Sequence, residues 1–201
     1  GLGDVYKRQS QYSAPITAVL AASGLDQQPL RAIAQSTGGA ALIDLASRGF
    51  WPFQQTVLLA PLVRPVQWWR VRLVYALAHR FIDDVPRTFA ENSTDLNFLE
   101  FIQRDPLQSR RIQVSWVGAL KRWLRGLRFV DLGVGPVLVI QGREDNTVDW
   151  RYNMRQIAAL FPGSTIEYLP DAGHHLANES ESLRNVYLSR ISEYFDEGAL
   201  D

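Results

Sequence analysis

The chain has 201 residues, 46% of them hydrophobic and 21% charged, and Lys+Arg and Asp+Glu both number 21. That suits one globular domain or part of a larger one, and the charge balance gives no electrostatic argument for a nucleic-acid partner. Zero Cys excludes disulfides, thiolate nucleophiles and Cys-ligated metals and fits a reducing, cytoplasmic compartment; no apolar run approaches the roughly 20 residues needed for a transmembrane segment.

In chain order, residues 1–9 (GLGDVYKRQ) show no periodicity. They resemble a translated sequencing adapter and are set aside as non-native, so native sequence is expected to begin near Ser10. Ser13 is placed to cap a helix with Pro15 in its first turn, running to about Ser23 and stopped by Gly24. Leu30 to Gln35 reads as a short buried strand. Ser36-Thr37-Gly38-Gly39 follows at once, then a helical run from Ala40 to Ala46, ended by Gly49. Thr56 to Ala60 (TVLLA) is a second apolar strand, closed by Pro61.

Arg64 to Asp131 contains no convincing strand and holds Trp68, Trp69, Trp116 and Trp123, four of the six tryptophans. Trp69, Leu73, Leu77 and Phe81 fall at helical spacing, with Arg70, Arg72 and Arg80 between them. The segment 64–131 reads as a helical cap inserted into an α/β core of residues 10–63 and 132–201, lying over the sheet's carboxyl edge, where α/β ligands bind. An ordinary pair of core helices is the alternative. Beyond it, Val137 to Gln141 (VLVIQ) and Thr165 to Leu169 (TIEYL) are further strands, separated by a helix from about Asp149 to Phe161. A final helix runs from Glu179 to Phe195. Continuous apolar strands separated by helices indicate a mostly parallel sheet covered on both faces.

A serine between a strand end and a helix start is lifted clear of both and sits beside backbone N–H groups that favour negative charge. Acyl transfer needs that arrangement. Ser36 occupies it. Asp145 lies just past the strand Val137–Gln141, and His174 just past the strand Thr165–Leu169, 29 residues later. The chain order is therefore Ser, Asp, His, each beyond a strand's carboxyl end, the order of an α/β-hydrolase triad.

The stretches Ala34-Gln35-Ser36-Thr37-Gly38-Gly39, Leu58-Leu59-Ala60-Pro61-Leu62, Gly142-Arg143-Glu144-Asp145 and Ala172-Gly173-His174-His175-Leu176-Ala177-Asn178-Glu179 resemble the α/β hydrolases. The similarity is to the lysophospholipase and monoglyceride-lipase-like branch, the serine aminopeptidase S33 group. It extends from about Ser13 to Phe195 and resembles the C-terminal two-thirds of such an enzyme, without its first strands or the His-Gly loop that supplies a second oxyanion donor. Ala34 stands where the family has Gly.

The resemblance implies a serine hydrolase with Ser36 as nucleophile, His174 as base, Asp145 as its orienting acid and the Thr37 backbone N–H as an oxyanion donor. The expected substrate is a small-molecule or lipid ester, with Trp68, Trp69 and Trp116 lining an apolar acyl pocket. No cofactor is implied, and adjacent His174 and His175 without a spaced partner do not form a metal shell. Among rivals, Asp149 is expected to cap the following helix, Asp171 to shape a turn, and His79 to lie at the surface or at a helix end. A non-catalytic hydrolase-like binding domain is the alternative function.

Overall fold

The computed structural model describes residues 10–87 and 92–198; the proposed non-native segment 1–9 lies outside them. The first helix, α1, spans Ser10–Ser23, so it begins before the expected cap at Ser13 and carries Pro15 inside. Gly24 ends it with a φ of 67°, a left-handed conformation that glycine adopts without a Cβ clash.

Four strands form a parallel sheet: β1 (Leu30–Gln35), β2 (Phe53–Leu59), β5 (Leu138–Gly142) and β6 (Thr165–Leu169), in the order β1-β2-β5-β6. The register sets Gln35 beside Leu59, Leu59 beside Ile140, and Gly142 beside Leu169, which brings the carboxyl ends together at one edge. Helices α2 (Thr37–Ser47), α6 (Trp150–Leu160) and α7 (Glu181–Glu197) complete the core.

The two-residue pleat divides the core in two. Leu58 and Val139 face a cluster with Ile43 and Leu45 of α2 and Ile157 and Leu160 of α6. Val57, Leu59, Leu138 and Ile140 face the other way, against Tyr187 and Ile191 of α7. Both faces of β2 and β5 are thus covered, which is why these strands read as continuous apolar runs rather than alternating ones.

The segment 64–131 departs from the expectation of helices alone. It contains α3 (Trp68–Ala78), α4 (Leu96–Arg104) and α5 (Val114–Gly126), but also an antiparallel pair, β3 (Asp84–Pro86) with β4 (Arg111–Gln113). Three-residue strands containing Asp, Pro and Arg carry no readable alternation, and the Arg111 guanidinium on the Asp84 carboxylate at 2.5 Å supplies what periodicity does not. The Trp69, Leu73, Leu77 and Phe81 stripe does not enter the core, as core helices would require. These residues are exposed, Phe81 at 86%.

Several contacts tie this segment to the core. Trp123 donates its indole N–H to Asp44 of α2 at 3.1 Å. Trp116 and Trp123 pack against Ala40, Leu62 and Val148. Arg64 pairs with Asp149 at 2.6 Å, and Asp149 also caps α6 by accepting the Tyr152 N–H, as its sequence position indicates. No helix among the described residues is long and apolar enough to cross a membrane.

Candidate active site

Ser36 joins β1 to α2 with φ 52° and ψ −112°, a conformation a non-glycine residue holds only when its surroundings impose it. Here its N–H donates to Leu59 O at 2.9 Å, and its carbonyl accepts from Leu62 N at 3.0 Å and Ala40 N at 3.2 Å. The turn is therefore pinned from β2, from the loop after β2 and from α2. Close approach is needed for this. A Cβ on Gly39 would stand 2.8 Å from Pro61 Cβ, so only glycine lets α2 lie against that loop. The Ala34 methyl lies beside Gly38 without crowding it: even a Cβ added there would make an ordinary 3.6 Å contact.

Asp145 follows β5 in a turn that saturates its carboxylate. Oδ1 accepts the N–H groups of Thr147 at 2.8 Å and Val148 at 3.0 Å; Oδ2 accepts the Gln141 side-chain amide at 3.1 Å and faces His174 Nδ1 at 2.8 Å. Burial pushes this carboxyl up. The hydrogen bond and charge of His174, with the two backbone N–H groups, outweigh it and hold the group below the usual carboxylate range.

His174 is buried in the loop after β6. A carboxylate can only accept, so the Asp145 contact places the ring proton on Nδ1. Nε2 is then left with a lone pair, and Ser36 Oγ lies 2.8 Å from it, in place to donate its proton. Ser36, His174 and Asp145 form one hydrogen-bonded chain across residues far apart in sequence. Thr37 opens α2, so its N–H has no acceptor inside the helix and sits beside Ser36.

The other sequence candidates fall in different places. Trp68 is buried, and Trp116 is half-buried near the start of α2. Trp69 is 64% exposed and stands by the Arg70 guanidinium. His79 caps the end of α3 with its ring on Tyr75, and His175 is half-buried with its ring edge toward His174. Among the described residues no cluster of His, Asp and Glu could hold a metal ion.

Two polar residues at the site carried no motif. Gln141, buried on β5, is the second side chain on Asp145; its signal was a polar residue ending an apolar strand, four positions before an acid. Gln35 accepts the Ala177 N–H at 3.0 Å and so joins the end of β1 to the loop that carries His174.

The serine aminopeptidase S33 family model matches residues 8–181. The chain belongs to this family. A monoacylglycerol lipase from Paleococcus ferrophilus superimposes with a TM-score of 0.74 at 15% identity, over 94% of this chain and 76% of that one. A soluble variant of monoglyceride lipase from Saccharomyces cerevisiae, solved with a substrate analogue, gives 0.74 at 13% identity, over 92% and 67%. A thermophilic esterase from Thermogutta terrifontis gives 0.62 at 19% identity, over 95% and 73%. No curated protein sequence matches. The S33 chain has the α/β-hydrolase fold, shared with lipases and esterases, and the chemistry this supports in general is ester hydrolysis.

Proposed function

We propose that this S33 family member cleaves carboxylic esters through an acyl-enzyme, with Ser36, His174 and Asp145 as its catalytic residues. The supporting observation is the chain of two 2.8 Å contacts from Ser36 Oγ through the imidazole to the Asp145 carboxylate. Ser36 Oγ attacks the ester carbonyl carbon while Nε2 takes its proton. The tetrahedral oxyanion is met by the Thr37 N–H at the positive end of α2. The intermediate collapses, the C–O bond to the alcohol breaks, and His174 returns the proton to the leaving alkoxide. Water, activated by the same imidazole, then releases the acid and frees Ser36.

An acyl group of lipid character fits the surroundings best. Half-buried Trp116 packs beside Ala40, one turn along the helix that Ser36 caps, on an apolar cluster with the buried Leu62 and Val148. The experiment is a fluorophosphonate label together with p-nitrophenyl ester turnover. The wild-type chain is expected to label and hydrolyse, and Ser36→Ala and His174→Ala to do neither. Equal labelling of wild type and Ser36→Ala removes the proposal; turnover abolished in His174→Ala rejects a purely binding role.

A further inference from the structure

Glu179 takes no part in the reaction above, yet it is wholly buried at 0% exposure. The sequence places it at the start of the last helix. The structure instead puts it in the loop before α7, turned inward. A carboxylate so far from water is costly unless donors surround it. Oε1 accepts the Gly173 N–H at 2.6 Å, and Oε2 accepts both the N–H and the hydroxyl of Thr94, each at 2.6 Å.

These donors come from two separate parts of the chain. Gly173 immediately precedes His174; Thr94 leads into α4 within the segment 64–131. Further contacts join the same two parts. The His175 N–H donates to Asn92 O at 2.9 Å, and Ser93 Oγ donates to Asn178 O at 2.6 Å. Asn92 O lies so close to Gly173 that a Cβ there would stand 2.6 Å from it. The main-chain N–H groups on both sides of His174 are therefore held, one by Glu179 and one by Asn92.

We propose that Glu179 is a positioning residue: by gripping Gly173 and Thr94 together it sets where the His174 imidazole stands and makes the segment 64–131 and the general base one mechanical unit. The proposal rests on the role assigned to His174 above. The geometry explains why a carboxylate is needed. Each of its two oxygens serves one part of the chain. A Gln amide offers only one acceptor, so one arm faces an NH2 group whichever way the amide turns. Asp is one methylene too short to span both arms.

The test compares full-length wild type, Glu179→Gln, Glu179→Asp and Thr94→Val. It reads fluorophosphonate labelling rate, kcat and KM on a p-nitrophenyl ester, and the downfield proton resonance of His174 Nδ1–H. Small misplacements of reacting groups cost up to about a hundredfold, so Glu179→Gln is expected to label and turn over about tenfold to a hundredfold more slowly. The loss should fall on kcat with KM unchanged, and the resonance should move or broaden. Glu179→Asp should not restore it, and Thr94→Val should shift everything the same way by less.

Wild-type rates and an unmoved resonance in Glu179→Gln overturn the proposal. If Glu179→Gln does not fold, the same result in Thr94→Val overturns it. A wild type that neither labels nor hydrolyses removes the ester-hydrolase reading alone. The resonance comparison then still decides whether Glu179 places His174.

Discussion

Gly142, the last residue of β5, lies against the main chain of Gly173: a Cβ added to Gly142 would stand 2.3 Å from the Gly173 carbonyl oxygen and 2.3 Å from that of Ala172. Both obstacles are backbone, so neither can swing aside. The loop that carries His174 is seated directly on the strand that leads to Asp145, and the Glu144 N–H donates to Ala172 O at 3.0 Å beside it. Gly142→Ala should force that loop outward. The expected cost is about 1–3 kcal/mol of stability, as for other overpacked sites, together with loss of ester turnover. Urea unfolding and p-nitrophenyl ester kinetics check it; an unchanged midpoint would show that the contact has slack.

The backbone of Ser36 stores strain that its hydroxyl does not need. With φ at 52° the residue sits where glycine is at ease and other residues are not. Ser36→Gly and Ser36→Ala should both lose all labelling. Ser36→Gly should be the more stable of the two by about 1 kcal/mol, strain relief being partly offset by the greater freedom of an unfolded glycine. Denaturation midpoints of the pair isolate the backbone contribution, because neither carries the hydroxyl.

His175 should make stability depend on pH in the mildly acidic range. Burial, then the neighbouring charges of His174 and Arg87, hold its ring below the ordinary value of 6.5. The folded pKa is thus lower than the unfolded one, so the unfolded chain binds more protons between the two. Stability is full above 6.5 and falls as the pH drops from there through the lowered folded value. Asp145 is lowered too, but its loss begins only below its ordinary 3.8. His175→Gln should flatten the slope just below 6.5 and leave the more acidic one in place, read from urea midpoints across pH.

Trp116 and Trp69 should separate in function. Trp116 packs on Ala40, Leu62 and Val148, whereas Trp69 is 64% exposed. Trp116→Ala is expected to raise KM several-fold for long-chain p-nitrophenyl esters while sparing the acetate. Trp69→Ala should leave both unchanged with these soluble substrates. A larger KM effect from Trp69 would move the acyl wall to the outer side of α3.

The sheet was legible where turn residues punctuate it. Leu30–Gln35 and Thr165–Leu169 coincide with the expected strands, because Ser36-Thr37-Gly38-Gly39 and Pro170 mark their ends sharply. β2 begins earlier than expected, at Phe53, since Gln54 and Gln55 look like loop residues until β1 is seen to pair Leu30 with Phe53 and Arg31 with Gln55, leaving Gln54 at a register shift. β3 and β4 were invisible because two three-residue strands gain their order from each other, between paired residues 25 to 29 positions apart, not from local pattern. The helical spacing of Trp69, Leu73 and Leu77 was real, but spacing alone does not say which way a face points.

At the site, Ser36, Asp145 and His174 could be listed from strand ends, and the structure joins them by contacts that no linear pattern contains. Gln141 and Glu179 could not be found in the same way. A buried polar side chain announces itself only through the donors that tertiary packing brings to it, and those of Glu179 lie six and 85 positions away.

The parallel order of the sheet has a kinetic consequence. Neighbouring parallel strands cannot be closed by a tight turn, and Ser36 meets His174 across 138 positions of chain. Contacts of such long span are the last to form when a polypeptide refolds. Helical circular dichroism should therefore recover well ahead of fluorophosphonate labelling after dilution from denaturant.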